Sequence, residues 1–129
     1  MRYLGIDYGD KKIGLALGDD EVKVAVPLDV VRHEGERTAI LLAELVKRER
    51  VDAVVVGVPL SAGEAPPSEQ EKKTLAFIDA LRLLISVPVY EEDERYTSSE
   101  SSRIKREHGS NVSEDALAAT MILQAFFDR

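Results

Sequence analysis

Apolar positions along this 129-residue chain fall first into short runs and then into helical spacings. Tyr3 to Asp7 is a brief apolar run closed by a turn through Gly9, Asp10 and Lys11, and Ile13 to Leu17 follows it. After a second turn at Gly18-Asp19-Asp20, Val22, Val24, Val26, Leu28 and Val30 alternate with Lys23, Ala25, Pro27 and Asp29. A period of two over that length predicts a strand with one buried face. Pro27 has no N–H to give to a ladder, which assigns this third strand to a sheet edge.

The period then lengthens. Between Gly35 and Arg50, Ala39, Leu42, Ala43 and Val46 recur at helical spacing, and the segment ends in Lys47, Arg48 and Arg50, cations suited to a helix C-terminus. Val51 to Val58 is nearly continuous apolar sequence, the signature of a parallel strand covered on both faces. A loop from Pro59 to Pro67 leads to Ser68-Glu69-Gln70-Glu71, a capping box whose helix aligns Phe77, Ile78, Leu81, Leu84 and Ile85. Val87 to Tyr90 reads as a fifth strand, with Pro88 marking the other edge. Thr97-Ser98-Ser99-Glu100 is a second capping box, opening a helix that runs to His108 and stops at Gly109. Ser113 caps a last helix that is apolar nearly all round, and its alanines suit close packing on a sheet.

The order β-β-β-α-β-α-β-α-α predicts an α/β chain with a mixed five-stranded sheet and helices on both faces, one domain over residues 1–129. Composition agrees with a globular fold: 44% of residues are apolar and 32% charged. The absence of cysteine removes disulfides, thiol nucleophiles and thiolate metal sites. The apolar runs fall short of the roughly 18 residues that a membrane span needs, and the opening lacks a signal-peptide layout. A cytoplasmic protein without membrane association is expected. The net charge of −7 weighs against sequence-independent phosphate binding, although bound cations reverse the sign locally. His33 and His108 lack the spacing of a zinc site, and no P-loop, dinucleotide fingerprint or nucleophile elbow is present.

Three acidic positions stand out. Asp7 ends an apolar strand expected between two others, where an ionised carboxylate is costly unless paired or metal-bound. The plainer reading makes it an Asx-turn residue before Gly9, or a partner of Lys11 or Lys12. Glu91-Glu92-Asp93-Glu94 lies at the carboxyl end of a parallel strand, where open α/β sheets bind ligands; otherwise it is a solvated strand exit. Alternation sends Tyr90, Glu92 and Glu94 to one face and Val89, Glu91 and Asp93 to the other. Asp115 falls in the first turn of the last helix, where an acid suits the macrodipole, but it shares the side of Ala118, Ala119 and Ile122 that packs on the sheet. Grouped carboxylates without sulfur or nitrogen donors suit Mg²⁺ or Mn²⁺. Two such ions about 4 Å apart form a clamp for in-line attack on a phosphodiester.

Gly5-Ile6-Asp7-Tyr8-Gly9-Asp10-Lys11-Lys12-Ile13-Gly14-Leu15-Ala16 resembles the opening signature of the YqgF/RuvX family. Val55-Val56-Gly57-Val58-Pro59-Leu60, Asp93-Glu94-Arg95-Tyr96-Thr97-Ser98, and Asp115-Ala116-Leu117-Ala118-Ala119 with Ile122-Leu123-Gln124 are similar to its later blocks, in order. The segment after Leu60 lacks an Asn-Met-Asp-Gly type of sequence, and Gly109 to Glu114 replaces a lysine-rich approach to the last helix. The resemblance implies an RNase H-like fold related to Holliday-junction resolvases, and a metal-dependent nuclease associated with 5′ maturation of pre-16S ribosomal RNA. It implies Asp7, an acid of the Asp93-Glu94 pair and Asp115 as catalytic carboxylates and ligands of Mg²⁺ or Mn²⁺, Glu94 being favoured over Asp93. Lys11, Lys12 and Arg95 are the expected phosphate contacts, with Arg103, Lys105 and Arg106 in support. The expected partners are pre-rRNA or branched DNA and ribosomal particles, bound by a monomer or weak homodimer. Competing classes are an ATP-binding domain of the actin/sugar-kinase type, for which the chain is short, and a catalytically silent RNase H-like binding module.

Overall fold

The computed structural model describes residues 1–59, 65–94 and 113–129. The helix expected from Thr97 to His108 lies outside them, as do Arg95, Arg103, Lys105 and Arg106 and loop residues 60–64. Eight elements are seen: β1 (Arg2–Tyr8), β2 (Lys12–Asp19), β3 (Val24–Arg32), α1 (Glu36–Arg48), β4 (Ala53–Val58), α2 (Glu69–Leu84), β5 (Val89–Asp93) and α3 (Glu114–Phe127). The strands form one sheet in the order β3-β2-β1-β4-β5. β1, β2 and β3 are antiparallel neighbours, whereas β1, β4 and β5 run parallel. The two strands that carry or follow a proline are thus the edges, as the missing N–H requires.

Side-chain alternation sorts the core into two layers. Leu4, Ile6, Val54, Val56 and Val58 meet Leu42 and Val46 of α1 and Phe77, Ile78 and Leu81 of α2 on one face. Tyr3, Ala16, Ala53 and Val55 meet Ala119, Ile122, Leu123 and Phe127 of α3 on the other. The α3 layer is thin because its sheet positions are small. A Cβ at Gly5 would stand 2.8 Å from Leu123 Cβ, and one at Gly14 would overlap the carbonyl oxygen of Asp115. These absent side chains bring α3, and with it Asp115, down onto β1 and β2.

Two expectations need correction. Val22, Val24 and Val26 were expected to face the core, yet Val24 is 50% and Val26 43% exposed while Ala25 is 3% exposed. The start of β3 is covered by α3 and not by α1, so the small residue is the one enclosed; a register shift opposite Leu15/Ala16 then resets the parity. The fifth strand begins after Pro88, whose carbonyl instead accepts the Val54 N–H at 2.9 Å, and it extends to Asp93. The acids can lie within the strand because arginines meet them from both layers: Arg82 of α2 at Glu91 (3.6 Å) and Arg129 at Glu92 (2.7 Å).

Gln124, buried on α3, secures the start of β3: its Oε1 accepts the Ala25 N–H at 3.0 Å and its Nε2 donates to the Lys23 carbonyl at 2.9 Å. Gln124→Leu keeps the volume but strands a buried N–H, and should cost roughly 1–3 kcal/mol. Urea unfolding with an unchanged m-value checks this; stability equal to that of the parent would show that β3 does not depend on the amide.

Candidate carboxylate site at the ends of the parallel strands

Asp7 lies one residue from the end of β1, between β2 and β4, and its cross-strand partner on β2 is Gly14. Because Gly14 has no side chain, the first turn of α3 rests directly over this pair. Ser113 caps that turn, accepting the Asp115 N–H at 3.2 Å. Glu114 is exposed and Asp115 half-buried, as the helical spacing predicts. The positive end of the α3 dipole therefore lies beside Asp7.

The second carboxylate arrives from the far edge of the sheet. Tyr90 packs against Phe126 of α3 at 5.3 Å between ring centroids and Glu92 pairs with Arg129, so both occupy the α3 face. Val89 belongs to the opposite core and Glu91 meets Arg82 there. Glu94 has the parity of Tyr90 and Glu92, and its carboxyl is hydrogen-bonded to Asp7. Asp93 has the other parity and acts on Glu94 through its charge.

Electrostatics follow from this geometry. Burial is the largest influence on Glu94, reinforced by the charge of Asp7, the hydrogen bond to it and the charge of Asp93; together they push Glu94 up to about 7. Asp7 is also raised, first by burial and further by the charge of Asp115, while the hydrogen bond from Glu94 acts in the opposite sense. The hydrogen bond between the two carboxyls requires a proton on one of them, so the pair shares a proton where both would otherwise be charged. No lysine or arginine among the described residues pairs with Asp7. Lys11 and Lys12 are exposed at the β1–β2 turn.

Among the described residues, no three acidic or imidazole side chains converge closely enough in this conformation to share one ion. The constellation is a hydrogen-bonded pair with a third acid acting on it at longer range. Its donor chemistry nonetheless fits a hard divalent cation: the side chains brought together among the described residues offer carboxylate oxygens, and a proton already bridges two of the carboxyls.

Two features escaped the sequence reading. His33, read as a residue of a charged turn, meets the Tyr8 hydroxyl at 2.7 Å through Nε2 and accepts the Gly35 N–H at Nδ1. The Tyr8 ring stacks on Phe77 at 4.6 Å, so the end of β1 is held from the face opposite Asp7. Strand parity, which groups Tyr8 with Leu4 and Ile6, was the available signal. Glu92, only 3% exposed, is neutralised by Arg129 through both carboxylate oxygens, a pairing that no local spacing announces.

Glu94 titrates near 4.5 when unfolded and about 7 when folded. Its protonated form is favoured by folding, so its stabilisation is complete below about pH 4.5 and is lost as pH rises through about 7. In the presence of a chelator, the melting temperature difference between the parent and Glu94→Gln should change across that window in this direction. A difference independent of pH would show that the two carboxyls do not share a proton.

The family described as "RuvX: Holliday junction resolvase" matches residues 1–129. A protein named "Putative pre-16S rRNA nuclease" from Anaeromyxobacter sp. is 37% identical, covering 99% of this chain and 97% of its own length. One of the same name from Rickettsia rickettsii is 31% identical over 97% of this chain and 84% of its own. Among solved structures, Thermus thermophilus RuvC superposes with a TM-score of 0.73 at 20% identity, covering 98% of this chain and 94% of that one. The same protein in complex with Holliday junction substrate gives 0.71. The RuvC likeness establishes the RNase H-like fold, and the full-length family match establishes that this chain belongs to the RuvX family.

Proposed function

We propose that this chain is a divalent-cation-dependent nuclease that hydrolyses phosphodiester bonds in the 5′-end processing of pre-16S ribosomal RNA. One observation carries the chemistry: Asp7 and Glu94 meet at the carboxyl ends of the parallel strands, beneath the first turn of α3 and within range of Asp115. Asp7, Glu94 and Asp115 are assigned as the carboxylates that hold Mg²⁺ or Mn²⁺. Such a cation supplies positive charge against the charge that develops on the phosphate. Glu94 is protonated to about pH 7 and must release its proton from the Asp7 contact to serve as a ligand.

Lys11 and Lys12, exposed beyond the end of β1, are assigned with Arg95 to phosphate contacts. The names of the relatives support the RNA substrate. A second reading, cleavage of branched DNA, is favoured by the family description and by the RuvC complex with a Holliday junction. In either case the chain would act in the cytoplasm on nucleic acid or ribosomal particles, as one domain and as a monomer or weak homodimer.

Cleavage of a pre-16S fragment and of a four-way DNA junction, with Mg²⁺ and Mn²⁺ in parallel, tests both readings. Loss of a cation ligand removes several kcal/mol of transition-state stabilisation, and each ~1.4 kcal/mol is tenfold. Asp7→Asn should therefore slow cleavage by about 100-fold or more, and a chelator should stop it. Equal rates for parent and Asp7→Asn preparations would assign the activity to a contaminant. Ion binding without cleavage of either substrate would favour the silent module.

A further inference from the structure

β4 lies between β1 and β5, so Glu94 can reach Asp7 only by passing over β4. Ile6 pairs with Val56, which sets Gly57 beside Asp7 in the next position. On its other side Gly57 pairs with Glu92, one parity step before Glu94. Ala53, Val55 and Gly57 share the face toward α3, the face that also carries Tyr3, Gly5 and Asp7. Val55 is an ordinary core residue there, and at position 57 the row of side chains stops. A Cβ built on Gly57 would lie 3.0 Å from Glu94 Cγ and would collide with the end of the Ile122 side chain.

We propose that Gly57 is a positioning residue of the carboxylate site: its missing side chain is the passage by which Glu94 crosses β4 to meet Asp7. This inference rests on the nuclease reading for its consequence, though not for its geometry. β4 needs no glycine for backbone reasons, since Gly57 does not have a positive φ and the pairing with β5 stays in register through Val58. Valine would suit a doubly covered parallel strand better. The requirement is therefore spatial, and it has two sources: the Ile122 side chain of α3, and Glu94 arriving from β5. Gly57 touches no reacting group; it acts through Glu94.

The obstacle to a simple test is Ile122, whose overlap with a new side chain could unseat α3 irrespective of Glu94. Gly57→Val combined with Ile122→Ala moves three carbons from the helix to the strand, keeping core volume while closing the passage. Ile122→Ala alone is the control, and Gly57→Ala/Ile122→Val supplies a milder step. Crystal structures of the full chain at pH 6 read the Asp7–Glu94 separation directly. Separation of the carboxyls in Gly57→Val/Ile122→Ala, with contact kept in Ile122→Ala, is the expected result. Retention of the contact in both overturns the inference, whether or not the protein binds metal.

Calorimetric titration with Mn²⁺ then measures the consequence. Misplacing one ligand should weaken binding by about 10–100-fold relative to Ile122→Ala, with a graded, smaller loss for Gly57→Ala/Ile122→Val. Equal Mn²⁺ affinity with separated carboxyls would show that Glu94 is not a ligand. That result, or a parent chain that binds no Mn²⁺, counts against the nuclease assignment while leaving the structural inference to the crystallography.

Discussion

Two carboxyl groups withdrawn from water and brought within hydrogen-bonding reach cannot both be ionised cheaply; one retains a proton or a cation takes its place. Much of this fold can be understood as the machinery that creates that situation. The parallel register of β1, β4 and β5 places the strand ends side by side, and the antiparallel β1–β2 hairpin leaves Asp7 flanked on both sides. The third acid comes from a different layer, carried in by a helix that small sheet residues allow to approach closely. Local pairing makes the hairpin, but the meeting of Asp7 with Glu94 and the approach of Asp115 to that pair are the work of crossovers and layer packing.

This explains which parts of the site were legible in the sequence. Strand identities and the sides taken by Glu94 and Asp115 follow from period and parity, and the helix caps from the side-chain oxygens of Ser68 and Ser113, all of which are local properties. Proline chemistry identified the edges for the same reason. The valines at the start of β3 misled because alternation reveals that one face is buried without saying which; only the location of α3 decides in favour of Ala25. The extent of β5 was hidden because four successive acids resemble a solvated exit until Arg82 and Arg129 are placed against them. Both arginines are remote enough in sequence, or on a different enough layer, that no spacing argument reaches them.

The glycines are the subtler case. As sequence, Gly5, Gly14 and Gly57 read as interruptions of apolar strands. In the fold they form the floor on which α3 and Glu94 lie. Their contribution is made by absent atoms, so it becomes visible only when both neighbours are located. The same holds for Tyr8 and His33, which brace the end of β1 from behind while Asp7 faces forward.

The two arginines that meet β5 differ in one respect that shapes how the strand behaves in real solutions. Arg82 and Glu91 face each other in the open, whereas Glu92 is enclosed beneath Arg129. Dissolved salt shields the first couple more than the second, whose carboxylate is enclosed and held by several hydrogen bonds. In brine the Glu91 pairing would therefore weaken first, while Arg82 keeps its hydrogen bond to the Val89 carbonyl and Glu92 keeps its anchor, so the acid two places further on stays tethered where it is needed.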